Sequence, residues 1–112
     1  MSTNAAQLVQ AARARIREIA APELPAWRGQ GAVLVDVREP AEYATGHIEG
    51  AINIPVDAIA LGVGEIPKDA FVVTACGKGG GRSDSAAEQL RAMGFTSVRP
   101  LCGGTQAWLQ LN

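Results

Sequence analysis

The sequence predicts an α/β domain, a small central parallel sheet covered by helices on both faces. Three observations predict it. The runs Val33-Leu34-Val35-Asp36-Val37 and Phe71-Val72-Val73-Thr74-Ala75 are β-branched and almost wholly apolar, the pattern of strands buried on both sides. Segments with helical spacing or helix-start signals separate the strand candidates, as parallel pairing requires. A glycine-rich loop then leaves the second run and opens a further helical pattern.

A chain of 112 residues suits one compact domain, and neither a composition break nor a repeat divides it. With 47% hydrophobic residues a core is assured, and a formal charge of −1 argues against general affinity for nucleic acid or for acidic membranes. The longest apolar runs, 32–37 and 70–76, fall far short of the ~20 residues that cross a bilayer. Met1-Ser2-Thr3-Asn4-Ala5-Ala6 lacks the basic start and apolar stretch of a secretory signal, so a cytoplasmic location is expected.

The elements follow in order. From Ala5 to Ala20, Leu8, Ala12, Ile16 and Ile19 recur at near-helical spacing with Arg13, Arg15 and Arg17 largely elsewhere on the wheel; residues 1–17 are expected to form a helical extension packed on a domain spanning 18–112. Pro22 to Trp27 predicts a short helical turn closed at Gly29 or Gly31, with Trp27 as a packing anchor. After the strand at 33–37 come a short helix over Pro40–Ala44 and a strand over Ala51–Ile54 stopped by Pro55. A helical segment from Val56 to Leu61, a turn from Gly62 to Lys68 and the strand Phe71–Ala75 lead straight into Cys76. Ser83 can cap a helix whose apolar face is Ala86, Ala87, Leu90 and Met93, with Gly94 where a helix ends. A strand near Ser97–Leu101, the Gly103-Gly104 turn and a short helix containing Trp108 complete the chain.

The chemistry concentrates in Cys76-Gly77-Lys78-Gly79-Gly80-Gly81-Arg82. A strand ending in cysteine, followed by a glycine loop and a helix start, gathers backbone N–H groups and the positive helix end around one sulfur. Such a cradle favours thiolate over thiol, and Lys78 and Arg82 add positive charge, so Cys76 is expected to be a nucleophile. The four glycines permit positive φ and let successive amides turn inward. Cys76 and Cys102 are too few for a disulfide framework, and with the lone His47 they are too widely separated for a zinc site; neither metal nor cofactor is expected.

From about residue 18 onward the sequence resembles the rhodanese-like domains. Asp36-Val37-Arg38-Glu39, Glu42-Tyr43 and Gly46-His47-Ile48, leading to Gly50-Ala51-Ile52-Asn53-Ile54-Pro55, are similar to that family's N-terminal signature. The strand, cysteine, loop and helix around Cys76 form the second part of the likeness, and Gly103-Gly104 with Ala107-Trp108 the third. The resemblance implies a rhodanese-like fold and a sulfurtransferase: Cys76 accepts a sulfane sulfur from a small anionic donor such as thiosulfate or glutathione persulfide and passes it to a thiol acceptor, itself either small or a protein. Gly77, Lys78, Gly79, Gly80, Gly81 and Arg82 would cradle the persulfide and donor, while Asp36, Arg38, Glu42 and His47 belong to a structural signature. Asp36 with Arg38 can form a charge pair that holds the first turn. His47 reads as a turn residue, since a thiolate held by loop amides needs no general base. Five residues separate Cys76 from Arg82, one more than in the usual single-domain sulfurtransferase loop and the same number as in rhodanese-fold cysteine phosphatases and related arsenate reductases. That leaves two alternatives beside sulfur transfer: phosphatase or arsenate reductase chemistry, and a non-catalytic binding module. Cys102, near the Gly103-Gly104 turn, is a candidate resolving thiol or a bystander.

Overall fold

The computed structural model describes residues 18–78 and 80–111. A 3-10 turn, Ala21–Glu23, precedes helix α1, Leu24–Gly29; strand β1, Val33–Asp36; helix α2, Pro40–Ala44; and strand β2, Ile52–Asn53. A 3-10 turn at Val56–Ala58 runs into α3, Ile59–Gly62, and β3, Phe71–Ala75, is followed by α4, Gly81–Ala92. Strand β4, Ser97–Pro100, and helix α5, Gly104–Gln110, close the domain. The expected fold class is what forms: the four strands are all parallel, in the order β2-β1-β3-β4, with helices around them.

Side-chain alternation divides the core. Val35, Val37, Val72 and Cys76 point to one face with Ala86, Ala87 and Leu90 of α4, Ile59 of α3, and Phe95. Leu34, Val73 and Ala75 point to the other, with Ile19, Leu24, Ile48, Ala51 and Leu101 and with Trp27 and Trp108 packed alongside. The small Ala86 and Ala87 let α4 lie close against β3, directly beyond Cys76. Trp27 meets Phe71 edge-to-face at 5.2 Å, in the anchoring role its position suggested.

Several boundaries differ from the sequence expectation. Strand β2 is two residues long where four were expected, because this edge strand pairs on one side only, and the chain leaves it through Pro55. Residues 18–20 do not continue a helix: Ile19 forms a parallel bridge with Leu101, donating to Pro100 O and accepting from Cys102 N. The expected helix over residues 1–17 lies outside the described residues. Helix α4 starts at Gly81, two residues before the cap position expected at Ser83. Its first turn is closed by Asp84 N–H donating to Gly80 O, so Arg82 and Ser83 are helical residues. The cap is Gly80, at φ +91°, a left-handed backbone that favours glycine. Gly103, at φ +75°, is a second such position, where a Cβ would also lie 2.5 Å from that of Ala107. No helix among the described residues is long and apolar enough to cross a membrane.

Candidate active site

Parallel β1 and β3 are neighbours, so the loops leaving their carboxyl ends lie side by side, the usual place for a site in such sheets. Cys76 is the first residue beyond β3, only 4% exposed, with its side chain on the α4 face. Its thiol donates to Ser83 Oγ at 3.5 Å, and Ser83 Oγ donates to Gly80 O at 3.1 Å. Thr74, two residues before Cys76, donates from Oγ1 to Ser83 O at 2.9 Å. Ser83 is thus fixed from both sides against the sulfur. From across the loop, the first N–H groups of α5 hold the carbonyls that follow the strand: Thr105 N donates to Cys76 O and Gln106 N to Gly77 O.

Arg82 leaves the first turn of α4 and reaches the neighbouring loop. Its Nη1 and Nη2 donate to Glu42 Oε1 and Oε2 at 2.6 and 3.1 Å, a bidentate pair on two part-exposed side chains. These bonds hold the Glu42 carboxyl down at about 2, with help from Glu39 N–H, and raise the Arg82 guanidinium. Glu42 therefore reaches the cysteine loop as well as belonging to the structural signature, tying Arg82 to α2.

The other signature residues make the scaffold. Asp36, 1% exposed, receives the Arg38 guanidinium on both carboxylate oxygens and Arg38 N–H on Oδ1, which raises Arg38 further. Arg38 Nη2 also donates to Gly46 O, closing the loop around α2. Asn53 Nδ2 donates to the carbonyls of Asp36 and Arg38, and Tyr43 Oη to Ala51 O. His47 is exposed and stacks on Tyr43 with centroids 3.6 Å apart. Its Nδ1 lies 2.9 Å from Tyr43 O, and because a carbonyl only accepts, that nitrogen carries the proton. The imidazole is committed to α2.

The loop glycines are less uniform in role than the sequence suggested. Gly80 needs its conformation, but a Cβ on Gly77 would make ordinary contact with Arg82 and one on Gly81 would meet open space; Gly79 lies outside the described residues. Lys78 is exposed, on the wall of an open cleft of about 510 Å³ that adjoins the loop. Cys102 is exposed beside Glu18, whose carboxylate, ahead of desolvation, pushes the thiol up. Among the described residues, no three His, Cys, Asp or Glu side chains gather as a metal-ligand set.

Sequence reasoning missed Ser83 as the partner of the sulfur and the α5 amides as anchors of the loop. The Thr74 hydroxyl inside an otherwise apolar run was the available hint of the first.

A sequence model described as the rhodanese-like domain matches residues 20–111. The thiosulfate sulfurtransferase GlpE of Pseudomonas fluorescens is 43% identical over 83 residues, 74% of this chain and 75% of that one. The GlpE of Pseudomonas entomophila is 36% identical over 92 residues, covering 82% and 84%. Among solved structures, the human single-domain sulfurtransferase TSTD1 superimposes with a TM-score of 0.75 at 32% identity, covering 85% of this chain and 96% of that one.

Proposed function

The chain belongs to the rhodanese-like domain family, and from that premise we propose that it moves a sulfane sulfur from thiosulfate or a persulfide to a thiol acceptor through a persulfide on Cys76. The observation that carries this reading is the seat of Cys76: a sulfur at the end of a buried strand, against the first turn of α4, with the Ser83 hydroxyl at 3.5 Å.

In the first half-reaction the Cys76 thiolate attacks the outer sulfur of thiosulfate. A new S–S bond forms, the S–S bond of the donor breaks, and sulfite departs with the electron pair. Ser83 Oγ–H, which donates to Gly80 O in the resting protein, can rotate to donate to the anionic sulfur. The Lys78 ammonium and the amides of Gly77, Gly80 and Gly81 would cradle the persulfide and the donor anion. In the second half-reaction an acceptor thiolate attacks the outer sulfur and leaves as the new persulfide, restoring the Cys76 thiolate. Neither step asks for protonation of a poor leaving oxygen, so a site without a general acid on the loop suffices.

The test is exposure of the purified protein to thiosulfate, with sulfite assayed and the intact mass recorded. One equivalent of sulfite and a gain of one sulfur atom, both absent in Cys76→Ser, are expected. Turnover of an aryl phosphate that depends on Cys76 and Arg82, with no sulfur gained, would overturn the reading in favour of the wider-oxyanion chemistry that the five-residue spacing permits.

A further inference from the structure

Two buried side-chain polar atoms among the described residues lack a hydrogen-bond partner, Arg99 Nε and Thr105 Oγ1. Arg99 lies over the Trp27 ring at 5.2 Å, which offsets part of its loss. Thr105 has no such relief. The residue is 3% exposed and its hydroxyl oxygen is out of contact with solvent. Buried hydroxyls are normally paired, and an unpaired one opposes folding. A valine of nearly the same shape would avoid that cost, so a hydroxyl at this place calls for a partner that the resting protein lacks.

Its placement points to that partner. Thr105 N–H donates to Cys76 O at 2.8 Å and Gln106 N–H to Gly77 O at 2.9 Å, while Leu101 N–H donates to Thr74 O at 2.8 Å. Residues 101–106 are thereby clamped to residues 74–77 on both sides of the cysteine, and the hydroxyl is registered to it. A ligand lodged in the open cleft does not meet an oxygen that solvent does not touch. Cys76 is equally enclosed, 4% exposed, and a sulfur added to it lies only ~2.05 Å beyond Sγ. The transferred sulfur is thus an acceptor that enters this interior along the cysteine itself. Ser83 Oγ stands at the inner sulfur, on the α4 side, and leaves the outer one to a donor from another element.

We propose that Thr105 Oγ1–H donates to the outer sulfur of the Cys76 persulfide and so retains the sulfur on the protein between donor and acceptor. The bond forms once sulfite has left and the sulfur is seated, so it lowers the free energy of the loaded state and leaves the barrier to loading nearly unchanged. Discharge breaks it: sulfite or an acceptor thiolate attacks the outer sulfur, the S–S bond to Cys76 breaks with its electron pair returning to Sγ, and the hydroxyl is again unpaired. The proposal rests on the sulfur-transfer reading and adds to it a residue that sets how long the sulfur stays.

The test loads the full chain with thiosulfate, removes the excess, adds sulfite and follows the persulfide by intact mass. Thr105→Val is expected to load at a rate within twofold of wild type but to be stripped by sulfite about tenfold faster, with the loading equilibrium about tenfold less favourable, the loss of one hydrogen bond to an anionic sulfur. Thr105→Ser, which keeps the hydroxyl, should restore retention. The empty Thr105→Val protein should melt at or above the wild-type Tm, which a purely structural threonine would not allow, and loading should raise Tm more in wild type than in the variant. Equal stripping of wild type and Thr105→Val, or stripping accelerated as much in Thr105→Ser, would overturn the proposal and leave the transfer reading intact. A wild-type protein that takes up no sulfur from thiosulfate or glutathione persulfide would refute the transfer reading, and the proposal with it.

Discussion

The loops that leave β1 and β3 stand side by side and are built on opposite plans. After β1, polar groups are closed on one another: Asp36 with Arg38, Arg38 with Gly46 O, Asn53 with two carbonyls, Tyr43 with Ala51 O, His47 with Tyr43. After β3, the cysteine meets one hydroxyl at sulfur-bond distance, the backbone is anchored by two amides of α5, and Lys78 is left open to solvent. A closed network needs particular residues at particular positions and so writes a long sequence signature. An open loop needs a short stem and donors for an incoming anion, which many sequences supply. The region with the more legible sequence is therefore the one closed on itself, and Arg82–Glu42 joins it to the open cysteine loop.

Breaking the closed loop should have the largest effect. Asp36→Ala leaves the buried Arg38 charge uncompensated, and a loss of ~3–5 kcal/mol is expected in denaturant unfolding, a large share of a small domain's stability. A change under ~1 kcal/mol would show that the ion pair is not what holds this loop. Ser83→Ala touches the open loop instead. Removing one hydrogen bond of ~0.5–1.5 kcal/mol should slow persulfide formation about three- to tenfold in stopped-flow sulfite release, and Thr105→Val, remote from the sulfur's own bond, should not reproduce that change.

Glu42→Gln cuts the connection between the two. Arg82 then presents its full charge to the donor, so the KM for thiosulfate is expected to fall, by up to about fivefold for an exposed pair. The pH dependence has a definite sign. The Glu42 carboxyl is depressed from 4.5 to about 2 in the folded chain, so its stabilising contribution is present above pH 4.5 and is lost as pH falls toward 2. Wild type should lose stability relative to Glu42→Gln over that window, and carboxyl NMR should find Glu42 still ionised at pH 3.5. The smallest effect belongs to His47→Gln, where transfer rate should change less than twofold and stability by ~0.5 kcal/mol, because the imidazole lies on Tyr43 and not on the cysteine. A pH–rate profile that loses a limb near neutrality in this variant would restore the general-base role.

Much of the fold was readable because local signals agreed with tertiary need. Pro at the first position of α2 bounds Pro40–Ala44, and the β-branched run bounds Phe71–Ala75; both elements have the expected ends. Strand β2 was overestimated because sequence carries no mark of an edge with one pairing partner. The start of α4 was misplaced because a serine that caps by propensity is used for a long-range contact, while Gly80 takes the cap through backbone conformation alone. Glu42 and Arg82 are forty residues apart, and only the adjacency of β1 and β3 brings them together. The Thr105 hydroxyl left no trace in the sequence at all, since an unpaired buried group is defined by what fails to surround it.

The central claim, that sulfur chemistry resides at the open loop and nowhere else, is tested most directly by peptide mapping. The protein would be loaded with thiosulfate, alkylated and digested, and the peptides containing Cys76 and Cys102 compared by mass. The extra sulfur is predicted on the Cys76 peptide alone, with Cys102 recovered as an ordinary alkylated thiol. Sulfur on the Cys102 peptide, or a Cys76–Cys102 disulfide in its place, would contradict the account.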